Sequence, residues 1–208
     1  MSDAAALKIA EADPAAMTAR RRTGDLGRVS GWYGVRFIIV TEGSLFAYLL
    51  FSYYYCLAQA GVKWPVGGPP PLTLAAISTL LMVASSIALA WSQWSFFKEA
   101  KPRPVPGIGL AVIFGAVFLS LQALDLAKKV PAISASTYNS FYVLLAGLDF
   151  LHVAVGVIAL VALLTWTIEG RIVGIRTSYV LIVAAYWHFV VIVWLSIFAT
   201  MILLPYAS

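Results

Sequence analysis

The chain has 208 residues, of which 62% are hydrophobic and only 11% are charged, and its formal net charge is +5. Its mean hydropathy is +0.90. Soluble domains are usually about half apolar and about a quarter charged, so this composition excludes an ordinary soluble protein and indicates a membrane protein. The lone cysteine, Cys56, excludes a disulfide framework and a thiolate metal cluster.

The N-terminal stretch is polar and lacks the apolar run of a secretory signal peptide. It also contains four acidic residues among the first thirty, whereas organellar transit peptides avoid acids. We therefore predict that residues 1–31 form a polar cytoplasmic tail, helical in patches or disordered, ahead of a membrane domain over residues 32–208.

Five stretches of the chain are long and apolar enough to cross a bilayer, which takes roughly 20 residues of helix. Short connections rich in proline, glycine or polar residues separate them. The sequence therefore predicts an all-α, polytopic membrane protein built as a bundle of five transmembrane helices. The predicted spans are about 32–57, 72–97, 106–127, 138–166 and 179–206.

The basic residues are distributed unevenly between the two ends of these spans. Of the 14 lysines and arginines, 11 lie in the N-terminal region and in the second and fourth connections, and 3 lie at the opposite ends. Because cytoplasmic loops carry the excess of Lys and Arg, we predict that the N-terminus is inside and the C-terminus outside. The same bias explains the positive net charge without nucleic acid.

The first, fourth and fifth predicted spans each carry ionisable residues, which are costly in a membrane and usually mark a function or a partner. They are Glu42 in the first, Asp149 and His152 on one face of the fourth, and His188 in the fifth. A rise of about 1.5 Å per residue places Glu42, His152 and His188 in one slab of the membrane, with Asp149 nearer the midplane.

Shared depth favours contact among these groups, because a polar group without a partner in hydrocarbon costs several kcal/mol. We predict an intramembrane polar cluster of Glu42, Asp149, His152 and His188, with His188 hydrogen-bonded, directly or through water, to Glu42 or to the Asp149–His152 pair. Burial should leave Glu42 protonated or able to exchange a proton slowly. The cluster can fix helix packing, serve a proton or lipid role, or do both.

Two further polar features lie in the second and third spans. Gln122 and Asp125 close the third span, with Asp125 reaching the outer surface. The second span carries Ser78, Ser85 and Ser92, seven residues apart, which favours close helix contacts. We expect this small-residue face to pack within the bundle or against a larger subunit.

Cofactor binding is limited by the number of histidines. His152 and His188 are the only two, too few for a copper or haem–copper centre, although together they could ligate one haem. We predict no metal site and no catalytic centre in this chain, with a haem-binding membrane anchor as an alternative. A transporter is the weaker alternative, since the chain shows no duplicated halves or paired broken helices.

Four segments resemble, in order, motifs of subunit III of haem–copper respiratory oxidases. "FIIVTEGSLFAYL" resembles the helix with the family's intramembrane glutamate, and "FLSLQALD" its Gln-x-x-Glu helix end. "AGLDFLHVAVG" resembles Gly-x-His-Gly-x-His-Val-x-x-Gly, and "AYWHFVVIVWLSIF" the last helix. The matching positions are Glu42, Phe46, Gln122, Gly147, His152, Val153, Gly156 and the Tyr186–Val190 stretch.

The sequence also departs from these motifs at four positions. Asp125 replaces the glutamate of the third-span motif, and Asp149 and Phe150 replace the first histidine of the fourth-span motif and the glycine that follows it. Val191 stands where the last helix usually carries an acid. The polar contacts of the fourth and fifth helices therefore need not match those of the family.

The resemblance implies a cofactor-free accessory subunit of a terminal oxidase in a bacterial inner membrane, in the short five-helix form. Its partners would be the catalytic subunit I and subunit II, which would hold the haem and copper. The family further implies a bound structural phospholipid, support of proton uptake, and protection from inactivation during turnover. We expect lipid contacts at Arg36, Phe37 and Trp187. A subunit III-like partner of a nitric oxide reductase is the remaining alternative.

Overall fold

A computed structural model describes residues 14–60, 65, 70–97, 105–172 and 177–207. These residues are helical apart from short connections, and none of them forms a β-strand. The fifth long helix continues into a π-helical segment and a final short turn. The elements are α1 (Pro14–Gln59), α2 (Leu72–Phe97), α3 (Val105–Lys129), a 3₁₀ turn (Val130–Ala132), α4 (Thr137–Ile168), α5 (Thr177–Ile197), the π-helical segment (Phe198–Leu203) and α6 (Leu204–Ala207).

Five helices of the described chain are long and apolar enough to cross a membrane, which confirms the predicted number of spans. The first helix begins earlier than its predicted span, at Pro14, so part of the predicted N-terminal tail continues the helix. Residues 1–13 lie outside the described part of the chain. The five candidate spans are Gly31–Gln59, Leu72–Ser95, Val105–Ala132, Thr137–Ile168 and Ser178–Tyr206.

Consecutive spans run in opposite directions, so the bundle has two ends. The end where α1 enters its span, near Gly31, is called the N-side end, and it includes the ring contact between Trp166 and Tyr179. The other end, near Tyr206, is called the C-side end, where the Tyr206 hydroxyl donates to the carbonyl of Pro70 across 2.5 Å. These contacts join the end of one span to the start of another.

The helices do not contribute equally to the core. α2, α3, α4 and α5 form a four-helix bundle in which α5 closes the ring against α2. α1 packs outside this bundle, mainly against α5 and to a lesser extent against α4. Consequently the outer side chains of α1 remain uncovered in the isolated chain, and Phe37 is 70% exposed.

Trp187 occupies the centre of the bundle and is fully buried. Its indole N–H donates to the Ser85 hydroxyl across 3.1 Å. Its ring lies against two glycines, because a Cβ atom at Gly115 or Gly156 would approach it to 2.7 or 2.8 Å. The prediction that Trp187 lines bound acyl chains is therefore wrong: the side chain is enclosed by α2, α3 and α4.

The serine face of α2 packs inside the bundle, as predicted. Ser78, Ser85 and Ser92 are all buried. Their small side chains allow close approach of neighbouring helices, and at Gly107 of α3 an added Cβ would lie 2.6 Å from the Ala88 carbonyl oxygen.

Candidate functional site: the intramembrane polar groups

Glu42 of α1 and His152 of α4 meet halfway along the bundle. The Oε2 atom of Glu42 lies 3.1 Å from Nε2 of His152. On its other side the imidazole donates from Nδ1 to the carbonyl of Leu148, one turn earlier, across 2.7 Å. The buried ring of Phe46 lies edge-on to the imidazole, with 5.3 Å between ring centroids. The histidine is therefore held from three directions.

This geometry determines which proton the pair can share. A carbonyl oxygen can only accept, so Nδ1 of His152 must carry its hydrogen. Nε2 then either accepts a hydrogen from a protonated Glu42 or, in the imidazolium form, donates one to the carboxylate. One proton can therefore reside on either partner without breaking the contact.

The pair lies at the surface of the bundle. The Glu42 side chain is 34% exposed and the His152 side chain 16% exposed. Tyr186 of α5 adds a polar neighbour, since its hydroxyl donates to the backbone carbonyl of His152 across 3.2 Å. The Glu42–His152 pair is thus accessible from the side of the bundle, at the boundary between α1 and α4.

His188 does not join this pair, so its predicted hydrogen bond to Glu42 or to the Asp149–His152 pair is wrong. Its Nδ1 atom lies 2.7 Å from the Ser86 hydroxyl, and its Nε2 atom lies 3.3 Å from Oε1 of Gln93. Both partners belong to α2. The reason is rotation about α5: the ring of the next residue, Phe189, faces α1 and would lie 3.6 Å from a Cβ atom at Gly43, whereas His188 faces α2.

Asp149 is isolated. Its side chain is fully buried, and neither carboxyl oxygen makes a hydrogen bond within the described chain. It shares a face of α4 with His152 but is not bonded to it. A carboxylate without a partner is very costly at such a site, which favours the neutral acid. The predicted four-residue cluster is therefore one pair, Glu42–His152, with His188 and Asp149 at separate positions.

Asp125 and Gln122 lie near the C-side end, as their place in the sequence predicts. The Tyr142 hydroxyl donates to Oδ2 of Asp125 across 2.7 Å, and the Lys129 amine lies 3.2 Å from the same oxygen. Lys129 also lies over the Tyr142 ring, 3.4 Å from its centroid. Gln122 is buried, and its Nε2 atom has no hydrogen-bond partner in the described chain.

The partners that the sequence analysis missed are Ser86, Gln93 and Tyr186. Ser86 and Gln93 are seven residues apart on α2, the spacing of one helix face, and this signal could have marked them as partners of an intramembrane histidine. No comparable spacing marks Tyr186, which lies within an aromatic stretch of α5.

The histidines do not fit a haem. Both ring nitrogens of His152 are engaged, by Leu148 and Glu42, and both ring nitrogens of His188 are engaged, by Ser86 and Gln93. The two rings also belong to separate contacts, His152 with α1 and His188 with α2. Within the described chain, no group of three or more His, Cys, Asp and Glu residues could hold a metal ion.

The two other residues predicted to contact lipid lie on α1 near the N-side end of the bundle. The Arg36 guanidinium lies over the ring of Trp32, 4.7 Å from its centroid. Phe37 is largely exposed. Both are accessible from outside the bundle, and their contact with lipid stays a prediction.

Comparison with known proteins agrees with the motifs. The profile of the family "Cytochrome c oxidase subunit III" matches residues 28–206. A protein of Nocardia farcinica named "Probable cytochrome c oxidase subunit 3" is 33% identical over 171 residues, covering 77% of this chain and 81% of that protein.

Vertebrate relatives named cytochrome c oxidase subunit 3 are more distant. That of Pelomedusa subrufa is 26% identical over 173 residues, and that of Gallus gallus is 25% identical over 176 residues. The matches cover 80% and 81% of this chain. They span 66% and 67% of those proteins, so this chain corresponds to about two thirds of their length. With its five spans and the match from residue 28 to 206, this chain belongs to the cytochrome c oxidase subunit III family.

Proposed function

We propose that this chain is the accessory subunit III of a haem–copper terminal oxidase in aerobic respiration. It would stabilise the catalytic subunit I, assemble with subunit II, and leave haem and copper to those partners. Family membership supports this proposal, together with histidines whose ring nitrogens are already engaged by the protein. The charge distribution favours an N-terminus on the inside, and similarity to the Nocardia farcinica protein supports a bacterial cell membrane as the location.

The Glu42–His152 contact carries the functional part of the proposal. A carboxyl and an imidazole 3.1 Å apart can keep a proton within the membrane and exchange it while retaining one hydrogen bond. Such a pair at the surface of the bundle can support proton uptake by a neighbouring catalytic subunit. The pair would act as a proton reservoir. Its loss should therefore reduce the number of turnovers before the oxidase inactivates, while the initial rate changes little.

A structural phospholipid is the second part of the proposal. Arg36 lies on α1 near the N-side end of the bundle, where it would meet a head-group phosphate. Phe37 next to it is exposed and can contact an acyl chain. Trp187 has no part in this lipid site, because it is enclosed in the core.

The proposal is tested on the complex purified in mild detergent. A co-purifying subunit with the spectrum of a haem–copper oxidase is expected, whereas a nitric oxide reductase spectrum would favour that alternative.

A complex of Glu42→Gln should assemble and start at the same rate, but inactivate after fewer turnovers. The control is Glu169→Gln, which removes a carboxyl 47% exposed beyond the spans and should leave the lifetime unchanged. Equal lifetimes for both variants would contradict the proton role.

A further inference from the structure

The side-chain amide of Gln122 is a buried polar group near the C-side end of the bundle. The side chain is 2% exposed, and its Nε2 atom has no hydrogen-bond partner in the described chain. A buried donor left without a partner costs about 1–3 kcal/mol, and buried polar groups in native proteins are nearly always satisfied by protein or ordered water. Gln122 therefore calls for an acceptor from outside the described chain.

A small cavity adjoins the Gln122 side chain. It has a volume of about 40 Å³, and its lining includes Ser78 of α2, Gln122 and Asp125 of α3, Tyr142 of α4 and Trp194 of α5. One water needs roughly 10–15 Å³ of such volume and two to four polar partners. The cavity is therefore large enough for one to a few waters and too small for an organic ligand.

The charges around the cavity select the kind of molecule that fits. Asp125 faces it with a carboxyl group whose Oδ2 atom already receives Tyr142 and Lys129. This leaves Oδ1 to accept a further hydrogen bond. Asp125 and Lys129 both line the cavity and offset each other's charge, so the lining has no excess charge to hold an ion, and a cation could not accept from the Gln122 amide. The occupant must accept from Gln122 and donate to Asp125.

We infer that this cavity holds an ordered water that accepts from Nε2 of Gln122 and donates to Oδ1 of Asp125, with the Ser78 hydroxyl as a third partner. The water completes the hydrogen bonding of a junction where four helices meet, because its walls come from α2, α3, α4 and α5. It also connects the buried amide to the Tyr142–Asp125–Lys129 group nearer the surface. The Gln-x-x-Asp sequence of α3 is thus a water-binding motif.

The test is a map of the assembled complex at a resolution where ordered waters are visible within the bundle. A peak within hydrogen-bonding distance of both the Gln122 amide and the Asp125 carboxyl is expected. Absence of this peak, while other buried waters are visible, would overturn the inference. A protein atom from a partner subunit in its place would do the same.

Two variants test which side chain holds the water. Gln122→Met keeps the length of the side chain but removes its donor, so the peak should disappear or weaken strongly. Ser78→Ala retains the Gln122 and Asp125 contacts and should keep the peak. A peak of unchanged height in Gln122→Met would show that Gln122 does not hold the water. If Gln122→Met fails to assemble, the map of the unchanged complex decides.

Discussion

Individual polar residues in this bundle differ in their hydrogen-bond partners and in their exposure, and these differences determine their chemistry. Glu42 is paired with His152 and partly exposed, His188 has two hydrogen-bond partners, and Asp149 has none in the described chain. Intramembrane ionisable residues that look alike in the sequence therefore have three different environments: a partly exposed acid–histidine contact, a histidine bonded to a neighbouring helix, and a buried acid without a partner in the described chain.

Exposure distinguishes the two intramembrane acids. A hydrophobic carbodiimide reacts with protonated carboxyl groups that it can reach from the lipid. We expect it to label Glu42, whose side chain is 34% exposed, and not Asp149, which is fully buried. Mass spectrometry of digested protein identifies the labelled residue, and Glu42→Gln should abolish the label. Labelling of Asp149 in the intact bundle would contradict its enclosed position.

Substitutions of Asp149 and His188 should differ in their effect on protein stability, because only His188 has hydrogen-bond partners in the described chain. Asp149→Val removes a buried polar group that has no hydrogen bond, and such changes are nearly neutral or stabilising. His188→Leu strands Ser86 and Gln93 and should cost about 1–3 kcal/mol. Thermal unfolding in detergent measures both. A larger loss for Asp149→Val than for His188→Leu would contradict an Asp149 side chain without a hydrogen-bond partner.

At the scale of helices, packing depends on small residues opposite large ones. Trp187 of α5 fills the space left by Gly115 of α3 and Gly156 of α4. The indole ring is buried and bonded to Ser85, so it cannot move aside easily. The contact of α5 with its neighbours therefore depends on the absence of side chains at these two glycines.

Gly156→Ala tests this contact. Its Cβ atom would lie 2.8 Å from the Trp187 ring, and such overpacking typically costs about 1–3 kcal/mol. Gly147 on the same helix is a matched control, because a Cβ atom there meets nothing within 4 Å. Gly147→Ala should stabilise by about 0.5–1 kcal/mol, since glycine is unfavourable inside a helix. Equal melting temperatures for the two variants would contradict the close packing.

The helices themselves could be predicted from the sequence, but their rotations could not. Length and hydropathy are enough to locate five spans, whatever surrounds them. A helix that is apolar on all sides has no polar face to show which side is buried. Residue counting could therefore estimate the depths of Glu42, His152 and His188, but it could not reveal that His188 lies against α2 and His152 against α1. The enclosed Trp187 was missed for the same reason.

At the scale of the whole molecule, the chain is a four-helix bundle with α1 attached to its side. The Glu42–His152 pair joins α1 to that bundle, and the water-binding cavity closes its C-side end. The pair and the cavity thus lie at different depths. The orientation of the bundle determines whether the cavity lies nearer the cytoplasm or nearer the outside, and from which side a proton would reach the Glu42–His152 pair.

The distribution of basic residues predicts this orientation, with 11 of the 14 on the N-side and the N-terminus inside. Cysteine labelling in whole cells tests it, after Cys56→Ser removes the native thiol. Ala135→Cys, in the exposed connection at the C-side end, should react with a membrane-impermeant maleimide from outside. Glu169→Cys, beyond the N-side end of α4, should react only after the cells are permeabilised. The opposite pattern would reverse the orientation and place the Tyr142–Asp125–Lys129 group in the cytoplasm.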